Sequence, residues 1–296
     1  MEPVIVIEKP ADFDALIEEV AQTRYLAVDT EANSFYVYFD RVCLIQISTT
    51  EKDYIVDPFA IKEMHRLGDI FDDPGIEKIF HAASNDILGF KRDFQFSFRN
   101  LFDTAVACKL LGYKQLGLAK ILEEHFGVTL DKKWQRHDWG QRPLHPQQLN
   151  YARLDTHYLI PLRHRLASEL VEQGLWEIAL EACNKVCDQE FQEKTFHAEA
   201  FIQIHGAQTL DPTGKRILKA LFLYREHEAR RRNRAPFRIL SNETLLRLAS
   251  HRPKDLDDFS KIKGLPRTYH NGRAAHNLLD LIRKTEDFCE ELALKQ

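Results

Sequence analysis

The chain has 296 residues, 44% hydrophobic, 29% charged and 10% aromatic, the composition of an ordinary soluble globular protein with apolar content for a large core. No apolar run is long enough to cross a bilayer, and the start, Met1 to Glu8, has no basic segment ahead of an apolar one, so neither a membrane span nor a secretory signal is expected. Net charge is −4, which taken alone argues against a nucleic-acid protein, but the charge is unevenly spread: residues 206–296 carry +7 and residues 1–205 carry −11.

The first half alternates strand and helix patterns. After a short strand-like run at Val4–Ile7, residues 12–22 place Phe13, Leu16, Ile17 and Val20 at helical spacing. Tyr25 to Asp29 is a short apolar run ending in acid, a buried strand. Val42–Ser48 and Tyr54–Asp57 are the next strands, the second closed by Asp57-Pro58. Lys78 to His81 is a strand that gives way to a helix near Ser84, and Leu116 to Phe126 is a helix stopped by Gly127. Strands interleaved with helices predict an α/β domain with a mixed sheet.

Pro146 starts another helix, with Leu149, Ala152, Leu154 and Leu159 on its apolar side and Pro161 expected to interrupt it. The pattern stays helical from about Ala167 to Phe201. After Gly206, Pro212 and Gly214 it is helical again with no convincing strand, which sets a domain boundary near residue 206. The expected organisation is therefore a catalytic domain over 1–170, a helical connection over 171–205 and a helical domain over 206–296. The five cysteines (Cys43, Cys108, Cys183, Cys187, Cys289) are odd in number and scattered, which suggests a reducing compartment without a disulfide framework. Cys183 and Cys187, one helical turn apart, read as helix packing, since no second pair stands at zinc-site spacing.

Three segments carry chemistry. In Asp29-Thr30-Glu31 the two acids share one face of a strand end. Like charges placed so call for a compensating cation, and an oxygen-only donor set selects Mg²⁺ or Mn²⁺; a solvated strand end is the plainer alternative. In His81-Ala-Ala-Ser-Asn85-Asp86 an acid sits where a strand becomes a helix, a usual place for active-site residues in open sheets, though also a place for a helix cap. In Tyr151-Ala-Arg-Leu-Asp155 the spacing i, i+4 stacks a tyrosine and an acid on one helix face; a core tyrosine with a surface acid is the alternative there.

Taken together, Asp29, Glu31, Asp86, Tyr151 and Asp155, in the order Asp-x-Glu, middle Asp, Tyr-x-x-x-Asp, resemble the DEDDy exonucleases, and among them ribonuclease D and its eukaryotic exosome-associated relatives. Leu44-Ile45-Gln46-Ile47, Asp57-Pro58, Leu101-Phe102-Asp103-Thr104, Gly127 to Lys132, Asp138-Trp139-x-x-Arg142-Pro143-Leu144 and Tyr151 to Leu159 strengthen the match over residues 1–170. The resemblance implies a ribonuclease H-like mixed sheet and two divalent cations, Mg²⁺ or Mn²⁺. Asp29, Glu31 and Asp155 would hold one, Asp29 would bridge to the second, and Asp86 would hold that second ion or its waters. Tyr151 would orient the attacking water, since a phenol of ordinary pKa is a poor base at neutral pH. Two cations can neutralise a phosphodiester that bare carboxylates would repel. His81 is also found in the family; it is read as structural or as a contact to nucleic acid. Asp138 and Arg142 either shape the substrate groove or hold a loop, with the loop the favoured reading.

Residues 213–285 resemble the HRDC domain, through Leu223-Tyr224-Arg225, Ala229-Arg230, Pro236-Phe237, Leu245 to Ala249, Pro253, Leu256 and Ile262-x-Gly264-Leu265. Arg230, Arg231, Arg232, Arg234 and Arg238 form the densest positive run, and with Lys261 and Lys263 they are the candidate phosphate contacts. A solvated helix end is the alternative for that run. The expected function is a cytoplasmic 3′→5′ exoribonuclease releasing nucleoside 5′-monophosphates from RNA with an unpaired 3′ end, such as tRNA precursors, without a membrane and with no required protein partner. A 3′→5′ DNA exonuclease and a non-catalytic RNA-binding adaptor are the competing readings.

Overall fold

The apolar runs of the first half become strands whose order in space differs from their order in the chain. The computed structural model describes residues 3–131, 133–193 and 195–293, with side chains as far as 288; Met1, Glu2, Lys132 and the Cys289 side chain, named above, lie outside these. Six strands form one sheet: β1 (Ile5–Ile7), β2 (Tyr25–Ala32), β3 (Val42–Ser48), β4 (Asp53–Val56), β5 (Glu77–Phe80) and β6 (Leu101–Asp103), in the order β1-β4-β3-β2-β5-β6. β3 runs antiparallel to both its neighbours, and every other pairing is parallel.

Every residue of β3 is buried, so both faces of the sheet must be covered. On one face Val28, Ile45 and Ile47 pack with Phe13 and Leu16 of helix Pro10–Val20 and with Ile87 and Phe90 of helix Ser84–Phe94. On the other, Ala27 and Ile79 meet Leu159 and Leu162 of helix Leu159–Glu172, and Leu44 and Ile55 meet Ala152 of helix Pro146–His157. Because side chains alternate along a strand, Asp29 and Glu31 follow Ala27 onto this second face.

Two helical expectations shift in the structure. The break expected at Pro161 falls at Tyr158, and Pro161 sits in the first turn of helix Leu159–Glu172, where its missing N–H leaves no bond unmade. The helical run expected over 167–201 is cut at Gly174, whose φ of 68° is left-handed, and it resumes only as Trp176–Cys187. That helix is no free connector, because Cys183, Val186 and Cys187 are buried in the core beneath the sheet. Both cysteines are thus packing residues. The chain divides into a unit of residues up to Asn33 plus Arg41–Gln192, and a second unit of Ser34–Asp40 plus the residues from Glu193 onward. The separate segment read at 171–205 is therefore shared out, most of it belonging to the first unit for the reason just given.

The second unit is helical throughout among the described residues: Pro212–Arg231, Pro236–Ile239, Asn242–His251, Leu256–Lys261 and Gly272–Ala293, with short 3-10 turns. Side-chain oxygens start three of these helices, Asp211 accepting from Gly214 N (2.7 Å), Ser241 from Thr244 N (3.1 Å) and Asp255 from Asp258 N (2.9 Å). Leu218, Leu221, Leu245, Leu248, Phe259 and Leu278 make its core. Ser34–Asp40 is held inside this unit: the Tyr38 hydroxyl donates to Glu226, Phe39 N donates to Asn233 Oδ1 (2.9 Å) and Ala235 N donates to Tyr36 O (3.1 Å). No described helix is long and apolar enough to cross a membrane.

Candidate active site

Asp29 and Glu31 leave β2 on the face covered by helix Pro146–His157, which packs on β2, β3 and β4. That helix is fixed at its start by His145, whose ring accepts from Gln147 N (3.2 Å) while the Gln148 side chain accepts from His145 N (2.6 Å), with Pro146 as the first helical residue. It is fixed along its length by polar contacts. The Ser48 and Thr156 hydroxyls meet at 2.7 Å, Ser48 donates to Asp53 Oδ1 (2.7 Å), and His157 Nδ1 lies 2.8 Å from Asp53 Oδ2. With its register locked, Tyr151 and Asp155 project together.

Asp86 arrives by a different route. β5 pairs with β2 only along Tyr25–Ala27. Beyond that point Asp86, in the first turn of helix Ser84–Phe94, takes the place of a strand: its Oδ1 accepts from Thr30 N (3.1 Å) and from the Thr30 hydroxyl. The turn before it puts Ala82 at φ 60°, uncommon for a residue with a side chain, and Asp103 braces that turn. Its carboxylate accepts from Ala82 N (2.9 Å), Ala83 N (2.8 Å) and Ala105 N (2.8 Å). Phe90 anchors the same helix among Phe71, Phe96 and Phe98, with ring centroids 5.2–5.7 Å apart.

The four carboxylates act on one another. Burial, then Asp86, Asp155 and Glu31, push Asp29 well above the ordinary carboxylate range. Glu31 is pushed well above it by burial, then by Asp155 and Asp86. Asp155 rises to about 7 through burial and Asp86, and Asp86 to about 7 through burial, against the bonds from Thr30 that oppose the rise. The phenol of Tyr151 is raised by burial, then by Asp155, Glu31 and Asp29. Three distant segments thus converge: Asp29, Glu31 and Asp155 all feel the charge of Asp86, and Asp86 itself feels that of Asp103.

The donor set, all carboxylate oxygen and carrying excess negative charge, fits a hard divalent cation. Among the described residues no three His, Cys, Asp or Glu side chains are already gathered at metal-binding distance, and Asp86 turns one oxygen to Thr30. The residues fit such an ion by the chemistry of their donors, and binding would have to draw the carboxylates together. A cavity of about 480 Å³ opens beside Tyr151 and Asp155, with Leu130, Trp134, Gln147 and Asn150 on its walls.

Residues that the sequence offered only as flanking motifs hold this site. Trp139 is buried and stacks on Tyr151 (centroids 6.0 Å, planes 24° apart). Arg142 ties the Trp139 loop down: Nε donates to Asp57 Oδ2 (2.5 Å), one terminal nitrogen to Trp139 O (2.8 Å) and the other to Cys43 O (2.7 Å). Asp138 accepts from Gly140 N (3.2 Å) in the same loop. Gln46, opposite Asp29 across β2 and β3, is fully buried with neither amide atom hydrogen-bonded. Thr30, lying between the two acids in sequence, was passed over although it holds the third.

The candidate nucleic-acid contacts are scattered rather than gathered. His81 is engaged at both ring nitrogens, Nε2 donating to Leu116 O (2.8 Å) and Nδ1 pairing with the Thr104 hydroxyl (2.8 Å), and burial lowers its pKa. Arg231 and Arg232 bond to Glu228. Arg238 donates to Phe35 O (2.5 Å) and lies over the Tyr36 ring, and Arg230 lies over Phe39. Lys261 pairs with Asp258 (2.8 Å), while Arg234 and Lys263 are exposed.

Residues 4–171 match the family model described as 3′-5′ exonuclease, and residues 214–282 match that of the HRDC domain. The chain is 33% identical over 258 residues to the exosome complex component 10 homolog of Caenorhabditis elegans, covering 86% of this chain and 30% of that protein. The chain spans about a third of the length of the curated relatives it matches. In structure it is similar to the catalytic core of RRP6 from Trypanosoma brucei (TM-score 0.86, 26% identity, 96% of this chain and 79% of that one). It is similar also to Escherichia coli RNase D, an exoribonuclease involved in structured RNA processing (TM-score 0.69, 30% identity, 97% of this chain and 76% of that one). The chain belongs to the 3′-5′ exonuclease family, its exonuclease domain followed by an HRDC domain.

Proposed function

We propose that this chain is a metal-dependent 3′→5′ exoribonuclease that removes nucleoside 5′-monophosphates from RNA with an unpaired 3′ end, tRNA precursors among them. The observation that carries the reading is the convergence of Asp29, Glu31, Asp86 and Asp155, four buried acids from three segments, all raised: burial raises each, Asp86 adds to the rise of the other three, and no opposing charge is among the causes. Asp29, Glu31 and Asp155 would hold one cation, and Asp29 with Asp86 a second. When bound, such ions supply charge neutralisation at the scissile phosphate and a lowered pKa for the attacking water.

The chain's own residues do the rest. Tyr151 keeps its proton, because burial and its acidic neighbours disfavour the phenolate, so its hydroxyl orients the water and does not act as a base. The stacked Trp139 ring holds that hydroxyl in place. Asp103, through the Ala82–Ala83 turn, and Thr30, through Oδ1, set where Asp86 stands. The cavity beside Tyr151 and Asp155 has room for the terminal nucleotide.

The test is a matched assay on 3′-tailed RNA and DNA of one sequence with Mg²⁺, with Mn²⁺ and with EDTA. Stepwise shortening of RNA with nucleoside 5′-monophosphate as product, abolished by EDTA, is expected. Faster shortening of the DNA would make it a DNA exonuclease, and no shortening of either would leave the adaptor reading. The name of the Caenorhabditis elegans relative supports a second setting, as one subunit of an exosome-like assembly. The native mass of the protein drawn from its own cells separates the two settings.

A further inference from the structure

The second unit contains a cavity of about 440 Å³, lined by Tyr224, Glu228 and Arg231 of helix Pro212–Arg231, by Arg232 that caps it, and by Arg273 and Asn277 from another helix. Three guanidinium groups therefore face one carboxylate. Glu228 is buried, and both its oxygens are taken: Oε1 accepts from Arg231 Nε (2.9 Å), and Oε2 accepts from the other Arg231 donor (2.9 Å) and from Arg232 Nε (2.7 Å). The two arginines hold that carboxyl below its ordinary range. In return Glu228 fixes both guanidinium planes against the cavity wall, which removes much of the rotamer entropy that free arginines lose on binding.

Arg273 adds the third charge. It stands in the first turn of the 22-residue helix Gly272–Ala293, where unbonded N–H groups and the positive end of the helix dipole already favour an anion. It is exposed and makes no ion pair among the described residues. Asn277, one turn further on, adds an amide N–H. The cavity is thus concave and doubly positive, with pre-oriented donors of the planar kind that suits phosphate oxygens.

We propose that this pocket binds a backbone phosphate of the RNA substrate, with Arg231, Arg232, Arg273 and Asn277 as its contacts. The inference rests on the exoribonuclease reading above for the identity of the polyanion. It reassigns the arginine run: two of its members belong to a pocket that also needs residues some forty positions later, while Arg230 and Arg238 hold the Ser34–Asp40 segment. With no exposed pair of stacked aromatics along the pocket, binding follows the backbone and does not read bases.

The test uses the full chain in EDTA, so that no RNA is consumed, and follows fluorescence anisotropy of a 3′-tailed RNA across a salt series. Arg273→Glu should weaken binding about tenfold at low salt and reduce the slope of log Kd against log salt by about one, the mark of a lost phosphate contact. Asn277→Ala should weaken it less and leave the slope alone. Arg234→Glu makes the same change in net charge outside the pocket and should have a distinctly smaller effect. Equal losses for Arg273→Glu and Arg234→Glu would overturn the pocket in favour of a diffuse field. Where Arg273→Glu lowers the melting temperature, Arg273→Gln carries the same comparison. Calorimetry with AMP alone separates a backbone site from a nucleotide site. AMP binding lost in Arg273→Glu with RNA affinity unchanged would overturn the proposal. Because no chemistry is read, a chain that binds RNA through Arg273 yet never trims it leaves the pocket standing and sinks the exoribonuclease reading alone.

Discussion

The molecule gathers like charge in two places and treats it in opposite ways. In the first unit Asp29, Glu31, Asp86 and Asp155 are all raised, by burial and by neighbouring carboxylates, and no cation is among the causes that shift them. In the second unit Arg231 and Arg232 flank a glutamate that is fully ionised and bonded at both oxygens. The contrast teaches that charge density alone says little about function; what matters is whether the fold supplies the countercharge. Where it does not, a ligand must. The carboxylate site has no countercharge of its own and calls for a cation, whereas the arginine pocket is neutralised only in part, by Glu228, and keeps two positive charges for an anion. The largest effect that could break this comparison is at the acids. Asp29→Ala or Asp155→Ala should lower the trimming rate by roughly a thousandfold or more, since a metal ligand supports several kcal/mol of transition-state stabilisation. Circular dichroism should remain that of the native protein. Retained activity in either variant would remove the site from the mechanism.

The same contrast has a thermodynamic signature. An acid whose folded pKa is raised keeps its proton in the fold between its ordinary value, 3.8, and the raised one, about 7 for Asp86 and Asp155. Through that window the folded state binds more protons than the unfolded state, so the metal-free protein should lose stability as pH climbs from about 4 to about 7. Mg²⁺ should restore it, and restore more at pH 8 than at pH 5, because the cation binds the ionised form. Asp155→Asn removes one repelling charge. It should raise the melting temperature of the metal-free protein at pH 8 by roughly 2–8 °C, the equivalent of about 1–2 kcal/mol in a domain of this size, while abolishing most of the Mg²⁺-induced gain. Melting curves in EDTA and in Mg²⁺ at the two pH values decide it; a variant less stable than the parent in EDTA at pH 8 would show that the carboxylates do not strain the fold.

Much of this site was legible in the sequence, and the illegible part has a physical pattern. Asp29 with Glu31 and Tyr151 with Asp155 are each fixed by one period, two residues in a strand and four in a helix, so sequence distance maps directly onto shared faces. The break near Pro161 and the stop at Gly127 follow from local chain geometry in the same way, though the break falls three residues early because proline is welcome in a first turn. Contacts that join separate segments left no such trace. Thr30 with Asp86 is a bond across 56 residues, and Trp139 under Tyr151 depends on a loop that Arg142 ties to β3 and to Asp57. The aromatic stretch Phe35 to Phe39 gave no signal, yet it belongs to the second unit. The connecting segment read over 171–205 divides between the two units for a related reason: Trp176–Cys187 is an amphipathic helix whose apolar side could serve any core, and only the fold shows which.

Those long-range contacts give a sharper, smaller test. Asp103 touches none of the five site residues, yet it braces the turn that sets Asp86. Asp103→Asn keeps the size and loses half the acceptors. It should reduce kcat by about 10–100-fold, the usual effect of removing a group that orients a metal ligand, and raise the Mg²⁺ concentration giving half-maximal rate, with KM for RNA little changed. A purely structural role would lower the melting temperature and leave the Mg²⁺ dependence where it was.

The smallest expected effect is at the countercharge itself. Glu228→Gln keeps a side chain that can still accept from one arginine but removes the negative charge between Arg231 and Arg232. Both arginines are partly exposed, so solvent screens their repulsion, and the loss of stability should be about 1 kcal/mol, or roughly 2–4 °C in melting temperature. Affinity for RNA should move the other way, rising a few-fold at low salt, because the pocket's charge goes from two positive to three. Opposite signs for stability and affinity are what a partly neutralised anion pocket requires. If both fall together, Glu228 matters for orienting the guanidinium planes more than for neutralising them, and the pocket then resembles the carboxylate site less as its mirror image than as a rigid fork, whose donors work only while their own acceptor holds them.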